Sequence, residues 1–149
     1  KSKDRTIGKD NILKINEEKA RLLSGEYAIE KKKKKIMAMG PRFLIIKKGE
    51  HGALLFDSES IYFCPALPLE EVFDPTGAGD TFAGGFIGYL ASTDDISFDN
   101  MKRAVIYGSA MASFCVEKFG TERLVNLSKP EINSRVQQFI DLSQVQISI

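Results

Sequence analysis

The stretch from Asp74 to Phe86 combines a turn, two spaced glycines and a carboxylate, residue types that can do chemistry together. It reads Asp-Pro-Thr-Gly-Ala-Gly-Asp-Thr-Phe-Ala-Gly-Gly-Phe, in which Pro75 and Gly77 indicate a turn and Gly79 allows close approach of the backbone. A helix that starts after such a turn points backbone N–H groups outward, and with the helix dipole they bind anions. Asp80 is unexpected at an anion site, unless it acts as a base beside a bound phosphate.

This run is long and specific. Asp74 to Asp80, followed by Ala83-Gly84-Gly85-Phe86, resembles the C-terminal signature of the ribokinase-like (PfkB) carbohydrate and nucleoside kinases. A dinucleotide fingerprint starting at Gly77 would need glycine at position 82, which is Phe82, and the Gly-Lys-Ser/Thr of a Walker A loop does not occur. An ordinary turn capped by Asp80 is the plain alternative, but it does not require the whole run.

The resemblance implies an α/β fold, Rossmann-like and three-layered, with a mostly parallel sheet plus a β-hairpin. Family members are considerably longer and carry the signature in their second half. Residues 1–149 are therefore predicted to form one domain, the C-terminal nucleotide-binding half, without the substrate and lid half. The implied reaction moves the γ-phosphoryl of ATP to a hydroxyl of a sugar or nucleoside, and this part alone is expected to be inactive.

The resemblance also assigns roles around the glycine-rich turn. The backbone N–H groups of Gly77, Ala78 and Gly79 would form an anion hole, and Asp80 would take the proton of the acceptor hydroxyl. Magnesium would bridge the phosphates through waters. A monovalent cation such as K⁺ is expected beside the loop, and three candidates could hold it: Asp74 and the backbone of Thr76 and Gly120. Gly120 also lies in the loop that would flank the adenine.

A strand over 12–15 and a helix over Glu17–Ser24 carry another part of the resemblance. The family has Asn-x-x-Glu at this strand end, where Asn and Glu help to organise magnesium and phosphate. Asn16 fits the first position, but the fourth is Lys19, with Glu17 or Glu18 as candidate replacements. Asn16 is equally plausible as a helix N-cap, and both interpretations stay open.

The apolar run 43–46 predicts a strand covered on both faces, followed by a turn and a second strand. A similar Gly-x-x-Gly hairpin in the family approaches the nucleotide, which makes Lys47, Gly49 and Gly52 candidate nucleotide-binding residues. Lys47 stands where the family often has Thr, and an ammonium can contact phosphate as a point charge. His51 is predicted to be a turn residue rather than a catalyst.

The helices carry predictions that concern packing. Leu22 and Leu23 are expected inward, and four or five of the lysines 31–35 are expected on a solvated helix face rather than at a nucleic-acid site. Gly84 and Gly85 inside a helix cost about 1 kcal/mol each unless a close contact compensates, and the small residues of 99–117 could supply it. Further inward residues and an edge strand are predicted: Ile29, Ile36, Met37, Ile132, Val136, Phe139 and Ile140, with the strand over 145–149.

Composition excludes several classes of function. A net charge of +1 gives no case for nucleic-acid or membrane partners, and Cys64 and Cys115 fit reduced core residues of a cytoplasmic protein. Two alternatives to the kinase remain open. One is a non-catalytic nucleotide-binding or regulatory protein that retains the fold. The other is an interaction module whose exposed apolar surface favours self-association, for example as a homodimer.

Overall fold

The structure, a computed structural model, describes residues 5–7 (backbone only), 12–69, 77–117 and 126–148. The chain divides into two compact units, Lys1–Cys64 and Pro65–Ile149. None of the helices in these described ranges has the length and hydropathy that a membrane span requires.

The first unit is built on a five-stranded mixed sheet in the order β1-β2-β3-β4-β5. Its strands are β1 (Arg5–Ile7), β2 (Ile12–Asn16), β3 (Phe43–Lys47), β4 (Ala53–Phe56) and β5 (Ile61–Cys64). The β3–β4 hairpin confirms the predicted one. Only β2 and β3 pair in parallel, so a mostly parallel sheet is not what these strands show. The reason is connectivity: short turns join β3, β4 and β5, whereas two helices connect β2 to β3.

Helices α1 (Glu17–Ser24) and α2 (Ile29–Met37) cover one face of this sheet. The four residues of β3 from Phe43 to Ile46 are buried, as their continuous apolar run predicts. Ile36 is buried in the core and Ile29 and Met37 pack against it, so the predicted inner face of α2 is confirmed. The core cluster combines residues from strands and helices: Ile15, Ala20, Ile36, Leu44, Ile46, Leu54 and Phe56.

One prediction about these helices is wrong. Leu22 and Leu23 are 71% and 43% exposed, because α1 turns Ala20 and Ser24 inward instead. The Ser24 hydroxyl donates to the Ala20 carbonyl at 2.7 Å, which satisfies its polar group inside the unit. The predicted solvated face of α2 holds for four lysines, since Lys31, Lys34 and Lys35 are exposed and Lys33 is half-buried, whereas Lys32 is only 4% exposed. Lys32 lies one helical turn before Ile36 and therefore shares its inward face.

The second unit consists of α3 (Ala78–Thr93), α4 (Phe98–Glu117) and α5 (Lys129–Ser143) in its described part. A Cβ atom added to Gly85 would lie 3.1 Å from the Cα of Gly108, and one added to Gly108 would lie 2.8 Å from the Phe82 carbonyl oxygen. The predicted close contact between the two helices is therefore confirmed at Gly85. Gly84 differs, because a Cβ there would meet no described atom within 4 Å.

Helix α5 begins with a capping box between Ser128 and Glu131. It is tied to α4 by Arg135, whose guanidinium donates to Ser113 Oγ at 2.7 Å and to Glu117 Oε1 at 2.8 Å. Val136 and Phe139 are buried, as predicted, but Ile140 is 38% exposed. Residues 144–148 form no strand, so the predicted edge strand is wrong over these residues. An alternating segment needs a sheet edge to pair with, and the described part of this unit is helical.

Candidate active site

The start of α3, formed by Gly77, Ala78, Gly79 and Asp80, is called the helix mouth below. Gly77 is its N-cap residue and has φ 84° and ψ −7°, a left-handed conformation that favours glycine. A glycine has no side chain to accept hydrogen bonds from the first-turn amides. Gly77 therefore provides no side-chain cap for these amides, and amides at a helix start without such a cap are the donors that anion-binding helix N-termini use.

Asp80 is the third residue of α3 and is exposed, as is Gly79. Gly77 and Ala78 are half-buried. A carboxylate in the first turn interacts favourably with the positive end of the helix dipole. Its exposure also leaves Asp80 accessible to a reactant, so the side chain is not sequestered in the interior.

Two side chains lie against Gly77, the first residue of the helix mouth. The Thr81 hydroxyl donates to the Gly77 carbonyl at 2.9 Å, in addition to the regular helical bond from the Thr81 amide at 2.9 Å. The sulfur of Cys115, a buried residue of α4, lies 3.8 Å from where a Cβ of Gly77 would be. Sequence reasoning missed both contacts. The Thr81 bond has a local signal, since Ser and Thr often bond the carbonyl four residues earlier, whereas the Cys115 contact has none.

In the first unit, Asn16 and Lys47 are register partners at the carboxyl ends of the parallel strands β2 and β3. Asn16 Oδ1 accepts a hydrogen bond from the Lys19 amide at 2.7 Å, so its role as the N-cap of α1 is confirmed. Lys48 Nζ lies 3.6 Å from Glu17 Oε2, which connects the start of α1 with the turn after β3. The amide of Asn16 and the ammonium groups of Lys47 and Lys48 therefore belong to residues at this edge of the sheet.

No group of three or more His, Cys, Asp or Glu side chains suited to a metal occurs in the described part of the chain. The fourth position of the motif that begins with Asn16 carries the ammonium of Lys19, and Glu17 lies 3.6 Å from Lys48. The candidates for the monovalent cation and the adenine loop, Asp74, Thr76 and Gly120, lie outside the described residues.

Lys47 is a lysine whose pKa is shifted by its surroundings. Burial, together with the nearby Lys14 ammonium, lowers the pKa of Lys47 from 10.5 to about 8, and the charge interaction with Cys64 opposes part of this shift. Asn16, Lys47, Ala53 and Cys64 are successive register partners across the sheet, so their side chains lie on one face. Lys14 is two positions before Asn16 on β2 and therefore shares this face. Lys47 therefore changes its charge near physiological pH, which its sequence neighbours do not indicate.

Gly49 and Gly52 lie in the turn after Lys47, where a 3₁₀ helix spans Gly49–His51. Their φ angles are 58° and 99°, so both positions need glycine. The Lys48 amide donates to the Gly52 carbonyl at 2.8 Å and closes the turn. His51 is a turn residue, as predicted, with a side chain that is 75% exposed.

The described residues thus form an α/β protein with a mixed sheet in one unit and, in the other, a glycine-capped helix with an acid in its first turn. The model of the family described as "pfkB family carbohydrate kinase" matches residues 2–127. The chain therefore belongs to the PfkB family, and the ribokinase-like α/β fold expected from the signature is confirmed.

The similar proteins act on several kinds of small molecule. The cytidine kinase of Thermococcus kodakarensis is 37% identical over 83 residues, which cover 54% of this chain and 30% of that protein. The Bacillus subtilis ribokinase is 32% identical over 120 residues, 80% of this chain and 38% of that protein. The aminoimidazole riboside kinase of Salmonella enterica, solved with aminoimidazole riboside and an ATP analogue, has a TM-score of 0.70 at 26% identity and covers 84% of this chain and 41% of that chain. The chain thus spans well under half of each relative.

Proposed function

We propose that this chain is the nucleotide-binding part of an ATP-dependent kinase that phosphorylates a hydroxyl of a sugar or nucleoside. The observation that carries the proposal is the helix mouth, where a glycine cap leads directly to an exposed aspartate. Membership of the PfkB family and the ATP analogue in the Salmonella enterica enzyme support it. The short coverage of the relatives supports a longer complete protein, in which another part binds the acceptor.

In the proposed reaction the protein positions the reactants and neutralises charge, because phosphoryl transfer needs little covalent participation from an enzyme. The amides of Gly77, Ala78 and Gly79 stabilise the negative oxygens of the transferred phosphoryl group. Asp80 orients the acceptor hydroxyl and accepts its proton as the new O–P bond forms. Asn16, Lys47, Gly49, Gly52 and Gly120 are proposed to contact the nucleotide.

The proposed cofactors are ATP with Mg²⁺, and K⁺ at Asp74 and Thr76. Magnesium would arrive with the nucleotide and its waters, since it keeps much of its hydration shell. A cytoplasmic location and a homodimer are further parts of the proposal. The buried thiols of Cys64 and Cys115 support the location, and exposed apolar side chains such as Leu22 and Tyr27 support self-association.

A second candidate is a nucleotide-binding protein without catalysis, favoured by Lys19 at the position where the family has Glu. One experiment separates the two. ATP binding is measured by calorimetry, and ATP consumption by the complete protein is measured against a panel of sugars and nucleosides. Binding with acceptor-dependent consumption supports the kinase. Binding without consumption for any acceptor supports the second candidate, and absence of ATP binding contradicts both.

Lys47 leads to a pH-dependent expectation. If its ammonium contacts a phosphate, ATP affinity should fall by up to about tenfold from pH 7 to pH 9, because a lysine with a pKa of about 8 is then mostly neutral. Lys47→Arg should remove this fall, because arginine keeps its charge throughout the interval. The measurement is the ATP dissociation constant at several pH values.

Stability provides an independent control for the same lysine. Lys47 has a lower pKa in the folded chain than its ordinary 10.5, so the unfolded chain binds more protons between about pH 8 and 10.5. The free energy of unfolding should therefore rise with pH across this interval, and less so in Lys47→Met.

An equal fall of ATP affinity in the wild type and in Lys47→Arg would exclude Lys47 as the titrating group.

A further inference from the structure

One peptide group carries both the Gly77 carbonyl, which is hydrogen-bonded within α3, and the Ala78 N–H of the helix mouth. A trans peptide is planar, so its carbonyl oxygen and its N–H point in opposite directions. Whatever fixes the direction of the Gly77 carbonyl therefore also fixes the direction of the Ala78 N–H. In this structure the Gly77 carbonyl accepts two bonds from one residue, from the amide and the hydroxyl of Thr81, both at 2.9 Å.

We infer that Thr81 is a positioning residue for the proposed phosphoryl transfer, because its hydroxyl holds the Gly77–Ala78 peptide so that the Ala78 amide points out of the helix mouth. This inference rests on the proposed function. Gly77 has no side chain that could restrict this peptide, so the restraint has to come from outside the residue. The Thr81 hydroxyl adds a second bond to the one that the Thr81 amide already makes with this carbonyl, and Cys115 lies against Gly77 on the side where a Cβ would project.

This role differs from an ordinary contribution to helix stability. Thr93, at the other end of α3, makes the same kind of bond: its hydroxyl donates to the Tyr89 carbonyl at 3.0 Å. Its oxygen also accepts a bond from Asn100 Nδ2 at 2.7 Å, so its removal breaks at least as many contacts as removal of the Thr81 hydroxyl. Thr93→Val is therefore a matched control that lowers stability without touching the helix mouth.

The test compares Thr81→Val, Thr81→Ser and Thr93→Val in the complete protein. Valine keeps the shape of threonine and removes the hydroxyl, whereas serine keeps the hydroxyl. We expect kcat/KM for ATP to fall about fivefold in Thr81→Val, the loss typical of one hydrogen bond, and to recover in Thr81→Ser. Thr93→Val should lower Tm at least as much as Thr81→Val and leave kcat/KM for ATP nearly unchanged.

A second readout does not depend on activity. The amide ¹H–¹⁵N signal of Ala78 should shift in Thr81→Val and stay in place in Thr93→Val, in the absence of nucleotide. An unshifted Ala78 signal, or a kcat/KM equal to that of the wild type, would overturn the inference. A wild-type protein that neither binds nor consumes ATP would instead refute the proposed function, and the Ala78 signal would still decide whether Thr81 orients this peptide.

Discussion

Asp80→Asn should reduce ATP-dependent phosphorylation by the complete protein by about 10²–10⁴-fold, the contribution typical of a general base. Asparagine has the size of aspartate and can still accept a hydrogen bond from the acceptor hydroxyl, but it cannot take the proton. ATP binding should be equal or tighter, because the substitution removes a negative charge from an anion site. Turnover with the best acceptor and the ATP dissociation constant are the two measurements.

Asp99→Asn is the matched control for this substitution. Asp99 also lies in the first turn of a helix and is exposed, with Lys102 Nζ at 3.5 Å. Both variants lose a favourable interaction with a helix dipole, worth about 0.3–1 kcal/mol, so their Tm values should change little and similarly. If Asp80→Asn keeps most of its turnover, the assignment of the base is wrong. Weaker ATP binding with normal turnover would point to a structural role for Asp80.

The parts of the fold that depend on local signals could be predicted from the sequence. Asn16 and Gly25 mark the two ends of α1, because a short polar side chain caps a helix start and a glycine adopts the left-handed conformation after its end. The uninterrupted apolar run of β3 predicts its burial on both faces. The glycine turn before Asp80 likewise predicts a helix start at this place, because glycine adopts the left-handed conformation that Gly77 has there.

The parts that depend on distant residues could not be predicted. Leucines outrank alanine and serine in hydrophobicity, yet α1 buries Ala20 and Ser24 and exposes Leu22, because the direction of the chain leaving β2 decides which face meets the sheet. Lys32 likewise follows the face of Ile36 rather than the charge of its neighbours. These choices are made by tertiary packing, which overrides local preference.

The same limit applies within the candidate site. The charge of Lys47 depends on Lys14, which lies on the neighbouring strand and more than thirty positions earlier in the sequence. Cys115 supports Gly77 from another helix, a contact that no local pattern indicates. The sequence thus identifies which residues could act, whereas the residues that tune and support them are identified only by the fold.

Gly108→Ala should destabilise the chain by about 1–3 kcal/mol, the cost typical of overpacking a buried contact. The added methyl would lie 2.8 Å from the Phe82 carbonyl oxygen and 3.0 Å from the Phe82 ring. Phe82 is fully buried, so neither its backbone nor its ring can move aside cheaply. The helices α3 and α4 would have to separate. Denaturant unfolding of the 149-residue chain measures the change in the free energy of unfolding.

Gly84→Ala is the control, because it makes the same chemical change in the partner helix where a Cβ would meet no described atom within 4 Å. Alanine is the better helix former, so this variant should gain about 0.5–1 kcal/mol. The opposite signs of the two changes separate the steric effect from helix propensity. If Gly108→Ala were as stable as Gly84→Ala, the two helices would not need glycine at their crossing. Because Phe82 lies just after Asp80, separation of α3 from α4 should also weaken ATP binding in Gly108→Ala.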